Sequence, residues 1–138
     1  MPTSDEELLD AADRVRTHAW APYSGFRVGA AVEASDGRIF TGCNVENASY
    51  PVTLCAERGA VSAAIAAGAT RLVRVAVSTA AAHPVAPCGA CRQVLAEFGP
   101  EMTVLSRAAG QIARWRLDDL LPERFVLERS PDHDEDPS

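Results

Sequence analysis

The sequence predicts an α/β sandwich built on one mixed, five-stranded sheet, and two observations carry this prediction. Helical segments and short β-branched runs follow one another in the order α-β-β-α-β-α-β-β. Strand–helix–strand units of this kind introduce parallel pairing into a sheet. A chain of 138 residues with a hydrophobic fraction of 47% suits one domain, which we place at residues 1–129. The acidic, proline-bearing segment 130–138 is predicted to be a disordered tail.

Local signals place the individual elements. Ser4 and Glu7 form a capping-box pattern ahead of residues at helical spacing, which predicts a helix start. The pair Asp36-Gly37 indicates a hairpin turn between two strands. A β-branched run after Gly68 should be a central strand. The predicted elements are helices over 5–19, 55–67, 88–98 and 117–121, strands over 28–34, 38–42, 72–78, 102–105 and 112–115, and loops over 44–53 and 80–87.

Composition argues against several classes of protein. The net charge of −6 does not favour binding to nucleic acid or to an anionic membrane. No stretch approaches 18 apolar residues without a charge, and the acidic N-terminus lacks the features of a signal peptide. We therefore expect a cytoplasmic protein, in which thiols stay reduced. Its four cysteines are then expected to be ligands, nucleophiles or core residues, not disulfides.

Three of these cysteines form a pattern typical of zinc. Cys88 and Cys91 stand three residues apart at a predicted helix start and can share one face. Cys55 begins another predicted helix, and helix N-termini favour thiolates. Three thiolates leave one tetrahedral position open, which distinguishes catalytic zinc from structural zinc. Glu57, two residues beyond Cys55, is expected to sit beside that position as the group that transfers protons.

Three thiolates around Zn²⁺ carry a net charge of −1, which weakens the metal as a Lewis acid. A guanidinium that donates hydrogen bonds to the sulfurs would restore this property. Arg58 and Arg92 each follow the cysteine motifs closely, and we expect Arg58 to have this role.

A non-enzymatic alternative remains open at this point. If Cys43 joined the other three cysteines, the site would be a closed four-cysteine structural zinc in a binding module. That arrangement would leave Glu57 without a role. We expect Cys43 to be a small buried residue at a strand end.

The segments 55–57 (Cys-Ala-Glu) and 87–91 (Pro-Cys-Gly-Ala-Cys) resemble the signature of the zinc deaminases. Because the first ligand position holds a cysteine, Cys55, the chain resembles the small three-cysteine, homotetrameric-type cytidine deaminases. Further resemblance to this family lies in residues 21–31, 41–50, 91–95 and 120–122, together with Phe125. Gly59 stands where the family more often has Thr, and inside a helix it should cost up to about 1 kcal/mol.

The resemblance implies a three-layer α/β/α sandwich and one Zn²⁺ per subunit of a homotetramer. It implies hydrolytic deamination of cytidine and deoxycytidine to uridine and deoxyuridine with release of ammonia, a reaction of pyrimidine salvage. It also implies roles for individual residues. At the metal, it implies ligation by Cys55, Cys88 and Cys91, proton transfer by Glu57 and charge neutralisation by Arg58. For the substrate, it implies that Asn44 and Glu46 bind the ribose 3′-hydroxyl, that Phe26 packs near the base or sugar, and that the Ala56 N–H binds the pyrimidine carbonyl. Tyr50 and Phe125 would belong to composite sites formed across subunits.

A related alternative is a blasticidin S deaminase, which acts on a cytosine-bearing antibiotic and shares both cysteine motifs. The segment 44–50 (Asn-Val-Glu-Asn-Ala-Ser-Tyr) favours the nucleoside branch, in which a ribose must be recognised.

Overall fold

The computed structural model describes residues 3–131 of the chain. These residues form four α-helices, five strands and one short 3₁₀ helix. In chain order the elements are α1 (Asp5–Arg16), β1 (Val28–Ala34), β2 (Ile39–Cys43), the 3₁₀ turn (Tyr50–Val52), α2 (Ala56–Ala66), β3 (Leu72–Thr79), α3 (Gly89–Phe98), β4 (Thr103–Ala108), β5 (Gln111–Arg116) and α4 (Leu117–Leu120).

The five strands form one mixed sheet in the order β2-β1-β3-β4-β5. β1 pairs antiparallel with both β2 and β3, and β4 pairs antiparallel with β5. Only β3 and β4 are parallel, and α3 makes the crossover between them. The predicted mixed sheet, with β3 at its centre, is confirmed.

Successive residues of the central strands face opposite layers, which gives the sandwich two cores. Val75 and Val77 of β3 are buried on the side of α2 and α3. Ala76, between them, is buried on the other side with Leu8 and Leu9 of α1. This alternation is the period of two that a pleated strand imposes. The predicted three-layer α/β/α sandwich is confirmed.

The predicted capping box at the start of α1 is present. The Ser4 hydroxyl accepts a hydrogen bond from the Glu7 N–H, and the Glu7 carboxylate accepts one from the Ser4 N–H. The helix ends at Arg16, three residues before the predicted end at 19. Trp20 explains the difference, because its backbone bridges to Val45 and draws the chain out of the helix.

The β4–β5 hairpin is longer than the sequence predicted. β4 runs to Ala108, and the turn consists of Ala109 and Gly110 with φ values of 51° and 74°. Two positive φ values suit the twist of a two-residue hairpin turn. Alanine rarely adopts this conformation, so of the two turn residues only Gly110 is of a type that predicts such a turn.

β2 packs so closely on α2 that only glycine fits at residue 42. A Cβ on Gly42 would lie 2.3 Å from the Ala60 nitrogen and 2.6 Å from the Ala56 carbonyl oxygen, both of which are backbone atoms. Gly59 lies on the facing turn of the helix. A Cβ there would meet its nearest neighbour, the Leu54 side chain, at 3.6 Å, which is ordinary contact.

We therefore expect the two glycines to respond oppositely to alanine. Gly42→Ala should lower the free energy of unfolding by about 2 kcal/mol or more, because the helix that begins at the cysteine site must move away from the sheet. Gly59→Ala is the matched control and should raise stability by up to about 1 kcal/mol. Urea unfolding of both variants measures the difference; equal effects of the two substitutions would contradict the close approach at residue 42.

The described C-terminal segment after α4 is irregular and exposed up to residue 131. Most of the tail that we expect to be disordered, residues 132–138, lies outside the described residues. Within residues 3–131, every helix is too short or too polar to cross a membrane.

Candidate active site

Three thiols come together where α2 and α3 begin. The sulfur atoms of Cys55, Cys88 and Cys91 all lie within 4.8 Å of one another. Cys55 is the N-cap residue of α2 and Cys88 that of α3, both in extended conformation, and neither helix has a side-chain cap hydrogen bond. The unpaired N–H groups and the dipole of the two helix starts favour negative charge at this point.

The donor set fits zinc. Sulfurs on one tetrahedral zinc, at the usual Zn–S distance of about 2.3 Å, are roughly 3.8 Å apart, so the cluster needs only a small contraction. Burial, and then the charges of Glu57 and Cys55, raise the pKa of the Cys91 thiol. A cation bound here would displace that proton and relieve the repulsion between the charged groups.

Cys43 lies outside this group, although its position is described. It ends β2 and is half-buried there. The closed four-cysteine site of the alternative interpretation is therefore absent from the arrangement of residues 3–131, and the group that can hold a metal has three protein ligands.

Glu57 lies in the first turn of α2 and is buried, with 6% of its surface exposed. Burial raises the pKa of its carboxyl, against the lowering effects of its own backbone N–H and of the Arg58 charge. It lines the same cleft as Cys55 and Cys88. A buried carboxyl with a raised pKa, in the same cleft as the thiols, is the kind of group that can exchange a proton with a bound substrate.

Of the two arginines that follow the cysteine motifs, Arg58 contacts a sulfur. Its Nη2 lies 3.4 Å from Cys55 Sγ and donates to the Thr53 carbonyl at 3.0 Å. Among the described residues, its buried Nε has no hydrogen-bond partner. Arg92 instead donates to two backbone carbonyls, at 2.7 and 2.9 Å, and joins the start of α3 to the end of α4.

A cleft of about 310 Å³ opens beside the thiols. It is lined by Cys55, Cys88 and Glu57 from the two helix starts, and by residues of the loops before β1 and after β2. The cleft brings together most of the residues predicted to bind substrate, namely Phe26, Asn44, Glu46, Tyr50 and Ala56. Ala56 is the first residue of α2, where backbone N–H groups have no partner inside the helix.

Asn44 is buried and its side chain is bound to backbone on both sides. Its Oδ1 accepts from the Val28 N–H at 2.8 Å, and its Nδ2 donates to the Phe26 carbonyl at 2.8 Å. An amide has two donors and two acceptor sites, so one N–H and one lone pair remain for another partner.

Glu46 is also buried, with 4% of its surface exposed. Its Oε1 accepts from the N–H groups of Tyr23 and Ser24, at 2.9 and 3.1 Å, and its Oε2 accepts from the Ser24 hydroxyl. The hydrogen bond from the Ser24 hydroxyl, with smaller contributions from both N–H groups and Tyr50, lowers the pKa of Glu46 in spite of burial. This residue therefore stays a charged acceptor at neutral pH.

Phe125 lies away from this cleft in the same chain. Its backbone N–H and carbonyl both bond to the Gln93 side chain on the outer face of α3, and 70% of its surface is exposed. It lines a separate surface depression. Of the residues predicted to bind substrate, it is the one that the fold of a single chain does not bring to the cleft.

The cleft also contains residues that the sequence did not single out: Ser24, Val28, Thr53, Val77, Thr79 and Val85. Ser24 and Val28 belong to the segment 21–31 that carried part of the family resemblance, but no local signal distinguished them from their neighbours. Val77 and Thr79 come from the end of the central strand, and only the fold places them here.

The clustered cysteines and the buried Glu57 at two helix starts match the Cys-x-Glu and Pro-Cys-x-x-Cys signature of the zinc-dependent deaminase class. The family model described as the cytidine and deoxycytidylate deaminase zinc-binding region matches residues 2–107. The chain belongs to this family.

Curated relatives and solved structures agree with this family. The chain is 43% identical over 125 residues to a cytidine deaminase of Sporosarcina psychrophila, covering 89% of this chain and 92% of that protein. It is 42% identical over 132 residues to one of Mycobacterium tuberculosis, covering 95% and 97%. The crystal structure of cytidine deaminase from Burkholderia pseudomallei superposes with a TM-score of 0.86 at 45% identity, covering 89% of this chain and all of that one.

Proposed function

We propose that this protein deaminates cytidine and deoxycytidine by hydrolysis, giving uridine and deoxyuridine and releasing ammonia in pyrimidine salvage. The observation that carries the proposal is the buried Glu57 carboxyl in a cleft of nucleoside size that is also lined by two of the three clustered cysteines. We assign the activity to a single catalytic domain over residues 1–129.

Cys55, Cys88 and Cys91 would hold zinc, which supplies Lewis-acid activation of a water molecule at its open position. Arg58 balances the negative charge of the thiolates through its contact with Cys55. Glu57 does the proton transfers. It takes a proton from the water that adds to C4 and delivers this proton to N3 of the cytosine ring as the C4–O bond forms. It then takes the proton of the new C4 hydroxyl and delivers it to the amino group, so that the C4–N bond breaks, ammonia leaves and the C4 carbonyl of the product remains.

The remaining cleft residues hold the substrate. The Ala56 N–H, free at the start of α2, donates to the pyrimidine 2-carbonyl oxygen. Phe26 packs near the base or sugar. Glu46 and the unused N–H of Asn44 bind the ribose 3′-hydroxyl, which a charged acceptor and an amide donor can recognise together.

We propose a homotetramer as the working assembly. Phe125 and its neighbours Val126 and Leu127 are each at least 68% exposed, and such a run of apolar residues suits a subunit contact. Tyr50, which lines the cleft, is 56% exposed. In this assembly Tyr50 and Phe125 would complete the sites of neighbouring subunits.

We place the enzyme in the cytoplasm. Thiol ligands must stay reduced to bind metal, and all four cysteines of the structure are free thiols. The acidic net charge of −6 agrees with a small-molecule substrate and not with nucleic acid or membrane.

The test is a direct assay on protein of known metal content. Uridine and ammonia should be released from cytidine, and deoxyuridine from deoxycytidine, with about one zinc bound per chain. Blasticidin S is the comparison substrate and should be turned over far more slowly, since it lacks the ribose. No release of uridine from cytidine by zinc-loaded protein would refute the proposal.

A further inference from the structure

Ser24 connects the residues that form the sugar end of the cleft. Its hydroxyl donates to Glu46 Oε2, and its backbone N–H donates to Glu46 Oε1 at 3.1 Å. The same hydroxyl oxygen accepts a hydrogen bond from the Phe26 N–H at 3.0 Å. One side chain therefore touches both the acidic residue and the loop that carries the aromatic residue.

The connection continues to Asn44. The Phe26 carbonyl accepts from Asn44 Nδ2, so the three substrate-facing residues and Ser24 form one continuous chain of hydrogen bonds. Beside this chain, backbone hydrogen bonds join the loop before β1 to the loop after β2. The Trp20 N–H donates to the Asn44 carbonyl at 2.9 Å, and the Glu46 N–H donates to the Trp20 carbonyl at 2.8 Å.

We propose that Ser24 is a positioning residue that holds the Glu46 carboxylate toward the sugar and thereby makes the site selective for nucleosides with a 3′-hydroxyl. This inference rests on the proposed function, in which Glu46 binds that hydroxyl. Ser24 itself does not touch the reacting atoms.

The physical argument depends on how a carboxylate is oriented. With donors on both oxygens, Glu46 cannot rotate about its last bond without breaking several hydrogen bonds. Its acceptor lone pairs are therefore aligned before substrate arrives, so little ordering is needed on binding. Hydrogen bonds to an ionised group are about twice as strong as neutral ones, so the Ser24 hydroxyl is an effective constraint.

The Ser24 hydroxyl can be removed without removing the loop. In Ser24→Ala the two backbone N–H donors to Oε1 remain, but the hydroxyl that donates to Oε2 is lost. We expect the freed oxygen to turn away from the sugar for part of the time. The effect should then appear with substrates whose sugar hydroxyl meets Glu46, and should be small with substrates that lack it.

The experiment compares cytidine with 3′-deoxycytidine on the zinc-loaded protein. Ser24→Ala should lower kcat/KM for cytidine by about tenfold, mainly through KM, as for loss of a hydrogen bond to a charged group. For 3′-deoxycytidine the loss should be less than about twofold. Calorimetric binding of uridine and 3′-deoxyuridine should show the same pattern without turnover. Ser24→Thr, which keeps a hydroxyl, should recover cytidine activity to within about threefold.

Ser35→Ala is the matched control, because Ser35 is exposed on the β1–β2 turn and lies outside the cleft. It should leave kcat/KM unchanged for both substrates. Equal losses for both substrates in Ser24→Ala would show a merely structural role and overturn the inference. Failure of Ser24→Thr to recover activity would also overturn it. Equal use of the two substrates by the wild type would overturn the sugar role of Glu46 together with this inference. Absence of cytidine turnover and binding would refute the proposed function itself.

Discussion

Replacing Glu57 by Gln should lower kcat on cytidine by a factor of about 10³ or more while one zinc stays bound per chain. The amide keeps the size of the carboxyl but cannot take up or release the proton, and general acid–base catalysis contributes about 10² to 10⁴ in rate. Zinc content and steady-state kinetics on the same sample measure the two effects separately. Near-normal activity of Glu57→Gln would contradict the role of this residue.

A matched control is Glu101→Gln, an exposed position before β4, which should leave both activity and zinc content unchanged. A loss of activity in both variants would indicate that removal of negative charge, not of the proton-transferring group, is responsible.

The Glu57→Gln substitution should not lower the stability of the fold. Burial raises the pKa of Glu57 in the folded chain, so its carboxyl favours folding when protonated and loses that contribution as pH rises through the folded pKa. In metal-free protein at pH 7 to 8, Glu57→Gln should therefore be at least as stable as the wild type. The advantage should shrink as pH falls toward the usual range of a glutamate, about 4.3. Denaturant unfolding at several pH values measures this, and a less stable variant at pH 8 would contradict it.

Replacing Cys91 by Ser should remove bound zinc and lower thermal stability, whereas Cys43→Ser should retain zinc. Cys91 is fully buried within the three-sulfur group, and Cys43 lies outside it. Because binding of metal to the folded state adds directly to folding free energy, loss of a ligand should lower the unfolding midpoint markedly. Metal analysis and thermal unfolding on both variants provide the measurements.

The pair of variants also separates the two kinds of zinc site. A closed four-cysteine centre requires both residues, so it predicts loss of zinc from Cys43→Ser as well. Retention of zinc by that variant, with activity intact, leaves the open three-ligand site as the remaining arrangement.

Much of the metal site could be predicted from the sequence because its parts are close along the chain. Cys88 and Cys91 share one helix turn, and Glu57 is two residues from Cys55, so local helix geometry alone brings each pair together. Helix starts were equally predictable, since caps are local. That the two helix starts meet required the resemblance to a family, or the fold itself.

The part of the cleft that Phe26, Asn44 and Glu46 line was predictable only by resemblance. Phe26 and Glu46 are far apart in sequence, and Ser24, which joins them, carried no signal of its own. The early end of α1 could not be predicted from local signals either, because the bridge from Trp20 to Val45 is a long-range contact that overrides helix periodicity.

The sequence by itself determined the order of elements, the pairing of Cys88 with Cys91 and the nearness of Glu57 to Cys55, because these depend on spacings of a few residues. Only the tertiary structure decided that Arg58 and not Arg92 meets the sulfurs, that Cys43 stands apart, that Phe125 lies on the outer face of α3, and that the Ser24 hydroxyl holds Glu46. The physical reason is that such contacts join segments separated along the chain, and no local preference specifies which of several polar side chains will be brought within hydrogen-bond distance.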